Sequence, residues 1–131
     1  MDRINILAVF AAAVSSFLLG GLWYSKKFLG AIWNREAGRT DMQQGGHPAK
    51  VFGLSFLFAL IGAFGFACWL GPEPDYKHAL EFGAIMGACF VATSFGINYQ
   101  FANRSFLMWL IDAGYHFLQF VIYGFIIGHW H

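Results

Sequence analysis

Four stretches of the chain run for about twenty residues with almost no charge, and polar segments separate them. Ile4 to Tyr24 and Val51 to Leu70 contain none, Ala79 to Phe101 contains only Glu81 near its start, and Phe106 to Ile127 contains only Asp112. A helix crosses a hydrocarbon core about 30 Å thick with about 20 apolar residues. The pattern therefore predicts an all-α fold, an integral membrane four-helix bundle. Its single domain covers residues 1–131, with helices over about 4–24, 51–70, 79–101 and 106–127. The first block lacks a clear basic leader and exits through Leu22-Trp23-Tyr24-Ser25-Lys26-Lys27, so it reads as an uncleaved anchor rather than a signal peptide.

Between the first two blocks, Phe28, Leu29, Ile32 and Trp33 recur at helical spacing beside Lys26, Lys27 and Arg35. This predicts an interfacial amphipathic segment over about 26–37. Gly38 to Pro48 reads as a loop, with Pro48 placed to start a helix. Gly71-Pro72-Glu73-Pro74-Asp75 reads as a stiff acidic turn. Trp23, Trp69, Trp109 and Trp130 fall near predicted helix ends and Trp33 in the longest connection, which marks all five as interfacial anchors.

Composition agrees: 58% of residues are hydrophobic and 11% charged, too few to cover a soluble surface. A net charge of +1 gives no basic face for nucleic acid. The expected partners are the lipid bilayer and either another membrane protein or further copies of the chain. Lys26, Lys27, Arg35, Arg39, Lys50 and Arg104 lie on one side against Arg3 and Lys77 on the other. The positive-inside rule then places both termini on the periplasmic side of an inner membrane. Cys68 and Cys89 fall within helices and read as small apolar side chains.

Helices in lipid pack through small residues. The first helix carries Ala8, Ala12, Ser16 and Gly20, and the third carries Ala84, Ala88, Ala92 and Gly96, both at intervals of four. These two helices are expected to meet. The constant offset is also what two related helical hairpins would give, as are chance alanine ladders. Gly124 and Gly128 offer a further close-contact surface on the fourth helix.

The candidate chemistry lies in the fourth helix. Asp112, His116, Gln119 and Tyr123 fall within an arc of about 60°, an intramembrane polar stripe. At 1.5 Å per residue Asp112 lies about 9 Å deep and His116 about 15 Å. A charged group near mid-membrane costs at least about 2.5 kcal/mol, so a partner, a wet cavity or protonation is required. Three readings fit: Asp112 and His116 satisfying each other and partners such as Asn98, Ser94 or Arg104; a proton or ion relay; and a haem or chlorophyll ligand at His116. No cofactor is named by any motif. His78, Glu81, His129 and His131 share the outer leaflet and could suit a divalent cation, but they lack the spacing of a recognised metal site. No catalytic residues are assigned, since Ser15, Ser16 and Ser94 have no nearby base in sequence. If the chain were an enzyme, Asp112 and His116 would supply the acid and base, acting on a lipid or quinone.

Gly21-Leu22-Trp23-Tyr24-Ser25 with Phe28, Gly30 and Trp33, together with Ile111-Asp112-Ala113-Gly114-Tyr115, resemble domain-of-unknown-function family 1761, a bacterial family of small four-helix membrane proteins. Members often carry proline where this chain has Lys26. The resemblance implies the same fold and no assigned activity. It marks Trp23, Tyr24, Trp33, Asp112, Gly114 and Tyr115, the aromatic ones as anchors rather than catalysts. The leading expectation is an accessory or binding subunit of a larger membrane complex. The alternative is a transporter of protons, ions or small solutes, working as an oligomer through the Asp112/His116 stripe.

Overall fold

A computed structural model describes residues 4–38 and 48–131. Apart from its two end residues, the loop expected from Gly38 to Pro48 lies outside the described residues. Helix α1 spans Ile6–Trp23, α2 Gly30–Glu36, α3 Pro48–Leu70, α4 Tyr76–Ile85, α5 Ala92–Phe101 and α6 Phe106–His129. A π-helical segment, Met86–Val91, joins α4 to α5. These make up four helices long and apolar enough to cross a membrane: α1, α3, the third span Tyr76–Phe101, and α6. The chain has the architecture of a multi-pass membrane protein.

Local chemistry sets the boundaries. Asn5 Oδ1 accepts from the Ala8 amide at 3.1 Å, Asp75 from His78 at 3.2 Å and Ser105 Oγ from Met108 at 3.1 Å, so α1, α4 and α6 open on side-chain caps. The Asp75 cap starts the third span at Tyr76, three residues earlier than hydropathy predicts, because Tyr76, Lys77 and His78 form a polar first turn. Pro48 opens α3, where its missing amide hydrogen removes no bond. Within the segment read as amphipathic, only α2 is helical.

Helix α6 is the centre of the bundle. It packs along the whole third span and along α1, while α3 packs chiefly on α1. The expected meeting of the first and third helices is not a main contact among the described residues, because both flank α6 instead. On α1, Ala8, Ala12 and Ser16 are buried, and Gly20 lies against Tyr115. On the third span the small residues divide. Ala92 is buried and Gly96 faces Trp109, but Ala88 is exposed and Ala84 only half-buried. The residues buried there are Ala79, Gly83 and Gly87, one position earlier in the four-residue series.

The π-helical segment explains the shift. One extra residue in a turn rotates everything before it relative to everything after it. The same segment disrupts the regular backbone bonding, and neighbouring side chains fill in. Thr93 Oγ1 donates to the Cys89 carbonyl at 2.7 Å and Ser94 Oγ to that of Phe90 at 2.8 Å. Trp109 Nε1 donates to the Ala92 carbonyl at 2.8 Å.

Candidate functional site

The segment after α1 is built to reach back over the bundle. Tyr24 caps α1, and the Leu29 and Gly30 amides bond back to the carbonyls of Trp23 and Ser25 at 3.2 and 2.8 Å. Position 30 must be glycine, since a Cβ there would stand 2.2 Å from the Tyr24 carbonyl oxygen. The reversal lays α2 against α6 and carries Trp33 to the same place as Tyr24.

That place is Asp112. The Tyr24 hydroxyl donates to Oδ1, and the Tyr99 hydroxyl and Trp33 Nε1 donate to Oδ2, the last at 3.2 Å. Every contact uses the carboxyl group as an acceptor, and Asp112 is only 6% exposed. One side chain therefore ties together the end of α1, α2, the third span and α6. Just beyond the first span, Tyr24 has its phenol pKa raised, by burial first and then by the neighbouring Asp112, which keeps it a donor.

The sequence-predicted stripe divides in two. Asp112 and His116 do not pair, and the partners proposed for them lie elsewhere: Ser94 bonds to its own helix, while Asn98 and Arg104 are exposed. The second part is a directional chain. His116 Nδ1 donates to Gln119 Oε1 at 2.6 Å, Gln119 Nε2 to the Tyr123 hydroxyl at 2.6 Å, and that hydroxyl to the Ala59 carbonyl of α3 at 2.9 Å. The chain leaves His116 Nε2 outside it, while the ring stacks on Phe95 at 4.8 Å. Tyr123 is fully buried, so Tyr123→Phe is expected to destabilise the bundle by about 1–3 kcal/mol, stranding the Gln119 amide and removing the bond that ties α6 to the Ala59 carbonyl. Denaturant titration of the purified protein checks this.

The tryptophans differ from their expected role. Trp69 and Trp130 keep exposed positions suited to an interface. Trp23 donates to the Ile111 carbonyl at 2.9 Å, and with Trp33 and Trp109 it turns its N–H into the protein instead of toward headgroups. The cation candidates are not brought together. His129 and His131 bond to backbone carbonyls, His78 packs on Phe82, and among the described residues no three His, Cys, Asp or Glu side chains form a metal-holding group.

The two sequence motifs singled out above form this one site. Trp23 packs on Gly114, where a Cβ would come within 3.1 Å of its ring. Tyr24 packs edge-on to Tyr115, whose hydroxyl donates to the Ser16 carbonyl at 2.9 Å. Sequence reasoning placed Tyr24 and Trp33 as anchors and missed Tyr99 as a partner of Asp112. The shared resemblance of the two motifs was the available signal that they meet.

No curated protein and no solved structure matches the chain. One family does, described as protein of unknown function (DUF1761), and the match covers residues 7–128. Since this is nearly the whole chain and includes every residue of the Asp112 site, the protein belongs to the DUF1761 family.

Proposed function

We propose that the protein is a small binding or accessory subunit of a larger membrane complex. It sits in a bacterial inner membrane with both termini on the periplasmic side. The observation that carries this reading is the outward surface of the third span. Only 17% of that span's most apolar window is buried within the chain. Its exposed residues include Ala88, Cys89, Thr93, Ser94 and Asn98, small or polar side chains set among the large apolar Ile85, Phe90 and Ile97 that suit lipid. Small and polar residues in hydrocarbon mark contact with another helix. The buried polar groups, by contrast, are engaged within the fold, which favours a structural over a catalytic role.

The test is the native particle extracted in mild detergent. A stable complex with another membrane protein, weakened by Asn98→Leu, is expected. Recovery of the wild type as an isolated monomer would sink the reading.

A second reading, proton or solute transport by an oligomer, is supported by the uncommitted Nε2 of His116 within the span. It requires that Asp112→Asn and His116→Ala reduce flux in proteoliposomes. Unchanged flux removes it.

A further inference from the structure

At the end of the bundle near Asp112, the chain turns from the third span into α6 through a fixed reversal. The Asn103 and Arg104 amides bond back to the carbonyls of Gln100 and Tyr99 at 3.2 and 2.9 Å, and Asn103 takes the left-handed conformation at φ 57°. This pairing closes a helix C-terminus tightly, and asparagine is among the few side chains that tolerate it. Beside the turn lies a cavity of about 180 Å³. Gly96 and Trp109 lie together in its lining, where a Cβ at position 96 would meet Trp109 Nε1 at 3.3 Å.

The lining is amphiphilic. Arg104 and Gln100 stand at its rim, Ser105 caps α6, and the rings of Phe106 and Trp109 form an apolar wall. Arg104 is the only Lys, Arg, Asp or Glu among the lining residues. Asp112 lies behind Tyr99, and the Tyr99 hydroxyl already donates to it. Arg104 makes no ion pair among the described residues. Phe101 and Phe106, 90% and 66% exposed, lie at the same bundle end.

We infer that this cavity binds the phosphate of an anionic phospholipid, with Arg104 on the phosphate and the glycerol and upper acyl chain against Phe106, Trp109 and the floor at Gly96. A guanidinium at the level of lipid phosphates offers paired donors to its oxygens. The first turn of α6 adds backbone amides and the positive end of a 24-residue helix. Free phosphate would use the same charge but leave the apolar wall uncovered. The inference rests on the membrane placement alone and does not depend on a protein partner.

The test uses the full chain in a zwitterionic detergent, mixed with equal amounts of phosphatidylglycerol and phosphatidylcholine and examined by native mass spectrometry. The wild type is expected to retain phosphatidylglycerol over phosphatidylcholine by about tenfold: both lipids offer the phosphate, but the choline cation of phosphatidylcholine is repelled by the Arg104 guanidinium, whereas phosphatidylglycerol brings its net negative charge uncompensated. Arg104→Gln is expected to abolish the preference at unchanged helical circular dichroism, Arg104→Lys to keep most of it, and the remote Lys50→Gln to keep all of it. Equal retention of the two lipids by the wild type overturns the assignment whatever the variants do. So does a preference that survives Arg104→Gln or falls equally in Lys50→Gln. Displacement of the lipid by about 10 mM inorganic phosphate, far weaker per molecule than a seated lipid, would assign the site to free phosphate and overturn the lipid.

Discussion

Asp112→Ala is expected to destabilise the protein by about 3 kcal/mol or more and to release α2 from the bundle. Three donors lose their acceptor at once: the hydroxyls of Tyr24 and Tyr99 and the indole N–H of Trp33. A buried donor left unsatisfied costs about 1–3 kcal/mol. The site lies where three separate segments are held by this one side chain, so the loss is local in origin and wide in consequence. Tyr24→Phe and Tyr99→Phe should each cost about 1 kcal/mol, since each removes one donor and leaves Asp112 two others. Asp112→Asn should fall between them and alanine, because its amide nitrogen faces donors where an acceptor is required. Denaturant titration in mild detergent gives the ranking. Hydrogen exchange over Tyr24 to Glu36 gives the release of α2, which is held on α6 largely through Trp33. Stability unchanged within about 0.5 kcal/mol, with exchange also unchanged, would mean that these bonds do not hold the segment.

The substitution also shows where reading the sequence stops. Asp112 stood out because it is the only acid in an otherwise apolar block, and burial of such a group demands partners. Spacing points to His116 on the same helix and to Ser94, Asn98 and Arg104 as those partners. They lie instead 88, 79 and 13 residues away, on three aromatic side chains. An aromatic residue near a helix end has two roles in a membrane protein, facing headgroups or turning its polar atom inward. Hydropathy does not separate them. Tyr24 and Trp33 turn inward because the reversal at Gly30, visible only once the close approach to the Tyr24 carbonyl is known, folds the chain back toward α6.

The four spans were legible for a simpler reason: length and freedom from charge are sufficient signals, and their ends moved by only a few residues. Helix pairing was not. A constant interval of four predicts one small-residue ladder on the third span, whereas the π-helical segment shifts the inward-facing series from Ala79, Gly83 and Gly87 to Ala92 and Gly96. No periodicity announces one added residue in a turn. With the shift included, the glycines of the third span face α6, and the interface expected between the first and third helices belongs to the third and fourth.

That interface carries the other large expected effect. A Cβ at Gly83 would lie 2.3 Å from the Phe120 carbonyl oxygen, and one at Gly124 would lie 2.3 Å from that of Ala79. The obstructing atoms are backbone on both sides, so no rotamer change relieves the overlap and the helices must separate. Close approach through glycine is what holds helices together where lipid is as apolar as the side chains. Gly124→Val is therefore expected to lower stability by about 3 kcal/mol or more, the upper range for overpacking. Gly83→Val should do the same. Their combination should cost less than the sum, because the first substitution already opens the interface that the second needs. Gly53 and Gly65 of α3 have nothing within 4 Å, and alanine at either is expected to be neutral or to gain up to about 1 kcal/mol from helix propensity. The contrast separates close packing from a general intolerance of change in the spans. If Gly124→Val proved as stable as Gly53→Ala in the same detergent, the third and fourth spans would not be packed as closely as their backbones lie here.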